Sequence, residues 1–165
     1  MSDSRFEKLV NDHSKDVLNA AVRIVGDANT AQDVHQDVFL AIWRRWGSFN
    51  GDMNWGAYLY RTTVRKAIEY ARRARLAPID DRRQAGSSKD WPDAALKADE
   101  LRRKLAVCLG NLPQKQSEVF VLARIEGLSY ERIADILGCS QKTARVHLHR
   151  ALKRLARELG DYGST

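Results

Sequence analysis

Residues 113–160 read PQKQSEVFVLARIEGLSYERIADILGCSQKTARVHLHRALKRLARELG, and their punctuation marks out three helices. Pro113 suits a helix start, because its missing N–H would have no partner in the first turn. The run that follows ends at Gly127, a residue type suited to the position after a helix. Ser129 can cap the next helix, YERIADIL, which stops at Gly138, and Ser140 can cap the last, from Gln141 onward. Arg132, three residues after Ser129, stands where the Glu of a capping box would be, so that start has one reciprocal bond fewer. The short Gly138-Cys139-Ser140 connection between two amphipathic helices has the length and chemistry of a helix-turn-helix.

The last helix has two faces. Ala144, Leu148, Leu152 and Leu155 recur at helical steps and should pack on Ile133, Ala134 and Leu137. The rest carries Lys142, Arg145, Arg150, Lys153, Arg154 and Arg157, with no acid before Glu158. A solvated basic face at the negative end of the helix dipole accounts for Lys153 to Arg157. It does not account for four turns without a balancing acid. Such a helix suits a major groove, its first turns reaching base edges and its basic last turns meeting phosphates.

The N-terminal half is helical by the same test. Phe6, Leu9, Val10, His13, Val17 and Ala21 recur at steps of three and four, as do Val34, Val38, Ile42, Trp43 and Trp46 after a turn and cap at Asp27 to Thr30. Phe39, Trp43 and Trp46 lie on that apolar stripe and are expected in the core. Tyr58 to Arg75 forms a third helix, and nowhere does a bounded alternation of apolar and polar residues argue for a strand. The fold class is all-α. The piece between the halves, APIDDRRQAGSSKDWPDA, holds two of the three prolines and a Gly-Ser-Ser run. It reads as a flexible linker over 77–94 between small helical domains at 1–76 and 95–165.

Charge follows the same division. The 165 residues carry a net +7, split as +3 over 1–76, −1 over 77–94 and +5 over 95–165. An excess of base suggests an anionic partner. Two cysteines cannot build a disulfide scaffold, no apolar run reaches the roughly 18–20 residues of a membrane span, and the polar N-terminus lacks a signal-peptide core. A cytoplasmic protein with no membrane insertion of its own is expected.

Eight of the thirteen Phe, Trp and Tyr residues lie between Phe39 and Tyr70. Trp55, Tyr58, Tyr60 and Tyr70 stand beside Arg61, Arg65, Lys66, Arg72, Arg73 and Arg75, with Glu69 the one acid among them. Aromatic faces mixed with cations are what a single-stranded nucleic acid needs, since bases stack and phosphates pair. For any one of these rings core packing is the simpler use. On the preceding helix Asp33, Gln36 and Asp37 form an acidic patch that DNA would repel, so a protein partner competes with simple dipole stabilisation as its explanation.

Together these strings resemble a bacterial RNA polymerase sigma factor of the extracytoplasmic-function type, the minimal sigma-70 kind with only regions two and four. The matching strings are AQDVHQDVFLAIWRRWGSF, AYLYRTTVRKAIEYARR and NLPQKQSEVFVLARIEGLSYERIADILGCSQKTARVHLHRALKRL, in that order. The resemblance implies that the first string docks on core RNA polymerase through Asp33, Gln36 and Asp37. It implies that the second, with the loop before it, holds the opened −10 element through Phe49, Asn50, Trp55, Tyr58, Arg61, Arg65, Lys66, Arg72 and Arg73. The third would read the −35 element as duplex through Ser140, Lys142, Thr143, Arg145, Val146, His149, Arg150 and Lys153. The implied partners are core RNA polymerase, promoter DNA and an anti-sigma factor, with a monomer when free. The chain departs from the family pattern in places. Asp37 replaces the usual Glu, Val64-Arg65 replaces a frequent Arg-Asn pair, Tyr58 replaces a tryptophan, and Val146 and His149 stand where polar or other aromatic residues are common.

Enzyme readings find nothing to rest on: there is no phosphate loop, nucleophile motif or paired-carboxylate site, so no catalytic residue and no cofactor is expected. Cys108, Cys139, His147 and His149 lack zinc-ligand spacing, and His147 and His149 diverge on one helix, so no metal is expected. The alternative from another class is a helix-turn-helix regulator outside the sigma family, whose N-terminal helices sense a ligand or dimerise.

Overall fold

The computed structural model describes residues 2–49, 51–76 and 93–162, and every regular element among them is helical, as expected. In chain order these are α1 (Ser2–Val25), α2 (Ala28–Arg44), a 3₁₀ turn (Trp46–Ser48), α3 (Trp55–Leu76), α4 (Asp93–Asn111), α5 (Gln114–Phe120) with a π-helical continuation (Val121–Ile125), α6 (Tyr130–Leu137) and α7 (Gln141–Tyr162). Most of the expected linker, 77–92, lies outside the described residues; its last two positions, Asp93 and Ala94, open α4. The chain divides into two compact units, Met1–Ala67 and Ile68–Thr165, so the last turns of α3 count with the second.

In the first unit α1 packs along α2. Leu9, Val17, Ala20, Ala21 and Ile24 of α1 are buried, as are Ala31, Val34, Val38, Phe39 and Ile42 of α2. Each large aliphatic side chain so buried contributes about 1.5–3 kcal/mol before chain entropy is set against it. Gly26 makes the reversal, its φ of 73° being closed to most L-residues. Asp27 then caps α2, its carboxylate accepting from the Asn29 N–H at 3.2 Å and the Thr30 N–H at 3.0 Å. Trp43 departs from the expected core and is 44% exposed. It lies about 100° around the helix from Ile42 and about 140° from Val38, off the buried line that runs through Val34. Phe6 covers part of it, with ring centroids 4.8 Å apart. Trp46 is half-buried, also against Phe6.

Between the two helices, Ser14 Oγ and His35 Nε2 are hydrogen-bonded at 2.7 Å, and the His35 ring meets Phe39 edge-on. Burial pushes the His35 pKa below its usual 6.5.

The second unit is built on α7, against which α4, α5 and α6 all pack. Ala144, Leu148, Ala151 and Leu155 form its fully inward line, with Leu152 half-buried beside them. Facing residues include Cys108, Leu109 and Leu112 from α4 and its end, Val119 and Phe120 from α5, and Ile133, Ala134 and Leu137 from α6. The helix expected from Pro113 to Gly127 is present but not uniform. Pro113 occupies the cap position, not the first turn, and from Val121 the ladder widens. The Glu126 N–H donates to Val121 O, and the Leu128 N–H to Leu122 O, as the chain turns at Gly127. Helix α4 has no counterpart in the sequence reading. It supplies Cys108, which is 2% exposed and hydrogen-bonded to Glu158; burial and that carboxylate push its thiol up to about 11.

Two outcomes follow. Folding holds His35 neutral, so the unfolded chain binds more protons below the ordinary histidine pKa and stability is lost as pH falls through that range. Thermal melting should occur at a lower temperature near pH 5 than near pH 7.5, and His35→Gln should narrow the difference (both pH values being about one and a half units or less from the ordinary pKa). In thiol labelling of the native protein at neutral pH, Cys139, which is part-exposed, should react first, and Cys108 only on unfolding.

Candidate nucleic-acid interface

The surface of α7 follows from its packing. With Ala144, Leu148, Ala151 and Leu155 turned inward, Lys142, Thr143, Arg145, Val146, His149, Arg150 and Lys153 are all exposed. Ser140 fixes where this face begins: its Oγ accepts from the Thr143 N–H at 3.0 Å and meets the Thr143 hydroxyl at 2.9 Å. All eight residues expected at the duplex therefore lie on one solvent-facing surface or at its cap. Val146, 40% exposed, puts an apolar patch among the cations. The Arg145 guanidinium lies over the ring of Tyr130, 5.0 Å from its centroid. Tyr130 was not singled out by any sequence signal, because no periodicity predicts a contact between the start of α6 and the second turn of α7.

In the first unit Phe49, Trp55 and Tyr58 come together with Trp46. Centroids are 5.1 Å apart for Phe49–Trp55, 5.4 Å for Phe49–Tyr58, 5.9 Å for Trp55–Tyr58 and 5.6 Å for Trp46–Trp55. Arg45 lies over Phe49 at 5.6 Å. Asn54 caps α3 through Oδ1, which accepts from the Ala57 N–H at 3.2 Å, so the cluster sits where loop becomes helix. A cleft of about 310 Å³ opens beside it, lined by Arg5, Lys8, Asp12 and His13 of α1 and by Trp46, Phe49 and Trp55. Asn50 lies outside the described residues.

The cations of α3 do not form one surface. Leu59, Thr63, Val64, Ala67, Ile68 and Ala71 make its buried stripe. Arg61, Arg65 and Lys66 are half-buried on its flanks, and Arg61 Nε is buried without a hydrogen-bond partner. Arg73 is exposed and lies 5.2 Å from the Tyr70 ring centroid. Arg72 is turned to protein: within the second unit its Nε donates to Gly110 O and its Nη2 to Leu112 O, each at 3.1 Å. These are carbonyls at the end of α4, where a cation meets the negative end of the helix. The approach is close enough that a Cβ on Gly110 would stand 3.0 Å from Arg72 Cα.

On α2, Asp33 and Gln36 are exposed and Asp37 is half-buried. Leu40 and Trp43 continue this face with 40% and 44% exposure. They extend the acidic patch with apolar surface, and the i, i+3, i+4, i+7 spacing of Asp33, Gln36, Asp37 and Leu40 is the signal that joins them.

Two family models match the chain: Sigma-70 region 2 over residues 9–76 and Sigma-70, region 4 over residues 102–155. The RNA polymerase sigma-H factor of Pseudomonas aeruginosa is 30% identical over 93% of this chain and 86% of its own. The chain belongs to the sigma-70 family. Among its relatives is the ECF RNA polymerase sigma-E factor of Haemophilus influenzae, 28% identical over 93% of this chain and 87% of that one. A solved structure of CnrH in complex with the cytosolic domain of CnrY is 28% identical, with a TM-score of 0.53, and covers 96% of this chain and 90% of CnrH. This sigma factor is of the extracytoplasmic-function type and not an enzyme: it binds core RNA polymerase and directs promoter-specific initiation of transcription. Among the described residues no group of three or more His, Cys, Asp or Glu could hold a metal ion, and no helix is long and apolar enough to cross a membrane.

The Arg72 contact carries its own test. Gly110→Ala would ordinarily favour a helix by about 1 kcal/mol. Here the added methyl meets backbone, which cannot swing away, so the sign should reverse and the melting temperature should fall.

Proposed function

We propose that the region 2 and region 4 segments of this sigma factor work as separate grips on one promoter. Residues 1–76 hold the melted −10 strand with Phe49, Asn50, Trp55, Tyr58, Arg61, Arg65, Lys66 and Arg73. Residues 95–165 read the −35 duplex through Ser140, Lys142, Thr143, Arg145, Val146, His149, Arg150 and Lys153, and 77–94 join them. Arg72 belongs to the first set once its bonds to Gly110 and Leu112 are exchanged for phosphate. The carrying observation is the face of α7: eight implied DNA contacts, all exposed, on a helix with no acid before Glu158.

Energetics support the first grip. Stacking on an aromatic ring is worth about 1–3 kcal/mol per base. Breaking a duplex step costs about 1.4 kcal/mol on average. A few captured bases therefore offset much of the opening, with polymerase supplying the remainder. The face of α2 bearing Asp33, Gln36 and Asp37 supports docking on core polymerase, because an acidic and apolar surface in a basic protein fits a protein partner better than DNA. The reading includes a cytoplasmic protein, monomeric when free, that an anti-sigma factor covers. CnrH, solved in complex with the cytosolic domain of CnrY, supports coverage by a protein partner.

Run-off transcription over a promoter library should depend on adding this protein to purified core polymerase. In pull-down with core, Asp37→Arg should weaken capture about tenfold by placing a like charge at the interface; equal capture of variant and wild type would remove Asp37 from the docking surface.

A further inference from the structure

Arg145 differs from the other cations of α7 in being held by a second helix. Tyr130, the first residue of α6, lies beneath its guanidinium with 5.0 Å between Cζ and the ring centroid. The two helices are locked at this angle. Gly138 and Cys139 both donate their N–H to Ala134 O, and Ser140 starts α7 through its cap on Thr143. Ala144, one residue before Arg145, is fully buried, so Arg145 leaves the helix beside the seam where α6 can reach it. Among the described residues no carboxylate pairs with Arg145, and the tyrosine face is what fixes its direction.

A guanidinium has two kinds of surface. Its planar face stacks on a ring, while its N–H donors project from the edge in a fork that matches two acceptors at once. Stacking on Tyr130 uses the face and leaves the edge free. In the major groove the pair of acceptors that an arginine fork fits is O6 and N7 of guanine. An exposed arginine normally gives up much rotamer freedom when it binds; one already stacked has less to lose. Lys142 and Lys153, compact charges on flexible stems, suit phosphates instead.

We infer that Tyr130 is a positioning residue for Arg145, and that the stacked Arg145 reads a guanine in the upstream duplex element. This rests on the reading of α7 as the −35 helix. The test uses holoenzyme assembled from core polymerase and the full chain, transcribing a template library randomised only across the upstream element, with the transcribed templates sequenced. Wild type should favour guanine at one position. Arg145→Ala should reduce that preference by about fivefold or more. Arg145→Lys should do the same, since charge is kept but the fork and the planar stack are lost. Tyr130→Leu should reduce the preference at that same position by about two- to fivefold. Tyr130→Phe, which keeps the ring, should match wild type. The double variant Tyr130→Leu/Arg145→Ala should be no worse than Arg145→Ala alone.

The inference is overturned if Tyr130→Leu leaves the guanine preference intact, lowers transcription equally on every template, or adds its effect to that of Arg145→Ala. It is also overturned if neither Arg145 variant touches a guanine preference. Should Tyr130→Leu fail to melt cooperatively, Tyr130→Met, which keeps apolar bulk and reach but no ring, takes its place: an unchanged guanine preference in that variant overturns the inference. Absence of any base preference across the upstream element in wild type would instead sink the −35 reading itself, which separates the two failures.

Discussion

One turn of backbone sets the direction of every side chain that α7 offers to solvent. At Gly138 the chain adopts φ 67°, a region in which a Cβ would crowd the following carbonyl. That single residue lets α6 stop and α7 start within reach of each other, and Ser140 then fixes the first residue of the new helix. With the helices so placed they pack on each other, and Ile133, Ala134 and Leu137 are buried along with Ala144, Leu148, Ala151 and Leu155. The outward face is what remains. On the proposed reading, a surface that discriminates DNA sequences is defined by hydrophobic packing on its reverse side, and its precision is inherited from a core.

The first unit handles its aromatics differently. Phe49 meets Trp46, Trp55 and Tyr58 edge-on, as Trp55 meets Tyr58, while Trp46 and Trp55 are tilted, each pair adding about 0.5–1.5 kcal/mol beyond the area it buries. On the proposed reading, an incoming base must displace or extend these contacts, so part of its stacking energy replaces what the rings already had. The cluster sits at the end of a loop tied down by the Asn54 cap, and not in the middle of a helix, which allows its rings to exchange partners at little cost to α3.

Most of this architecture is legible in the sequence because it is written in local chemistry. Asp27, Ser129, Gly138 and Ser140 act at the positions that their side chains or missing side chains demand. The apolar steps in α2 and α7 pick out most of the residues that are buried, and in α1 they find Leu9, Val17 and Ala21 but not Ala20 or Ile24. What escaped is non-local or ambiguous in phase. Trp43 shares a hydrophobic stripe with Val38 and Ile42, yet lies at its edge, where the sequence cannot say whether a neighbour covers it. Helix α4 carries charges at Glu100, Arg102, Arg103 and Lys104 that blur its period, and it borrows stability from α7. Arg72 reads as one of a run of cations, and only the fold reveals that two carbonyls have claimed it. Tyr130 likewise acquires meaning from a residue fifteen places away (the separation of 130 and 145), beyond any helical spacing.

The widened ladder at Val121–Ile125 bears on the length of the chain. A π segment holds one residue more than an α-helix covering the same path, and the surplus is absorbed there, not passed on. A chain shorter by one residue at this point could close as ordinary α-helix and still deliver Gly127, Ser129 and α6 in their present orientation. The three residues from Gly138 to Ser140 have no such slack, since losing one would rotate α7 by about 100° and turn its basic face into the core. Within twenty residues, from Val121 to Ser140, the chain therefore contains a place where length is negotiable and a place where it is not.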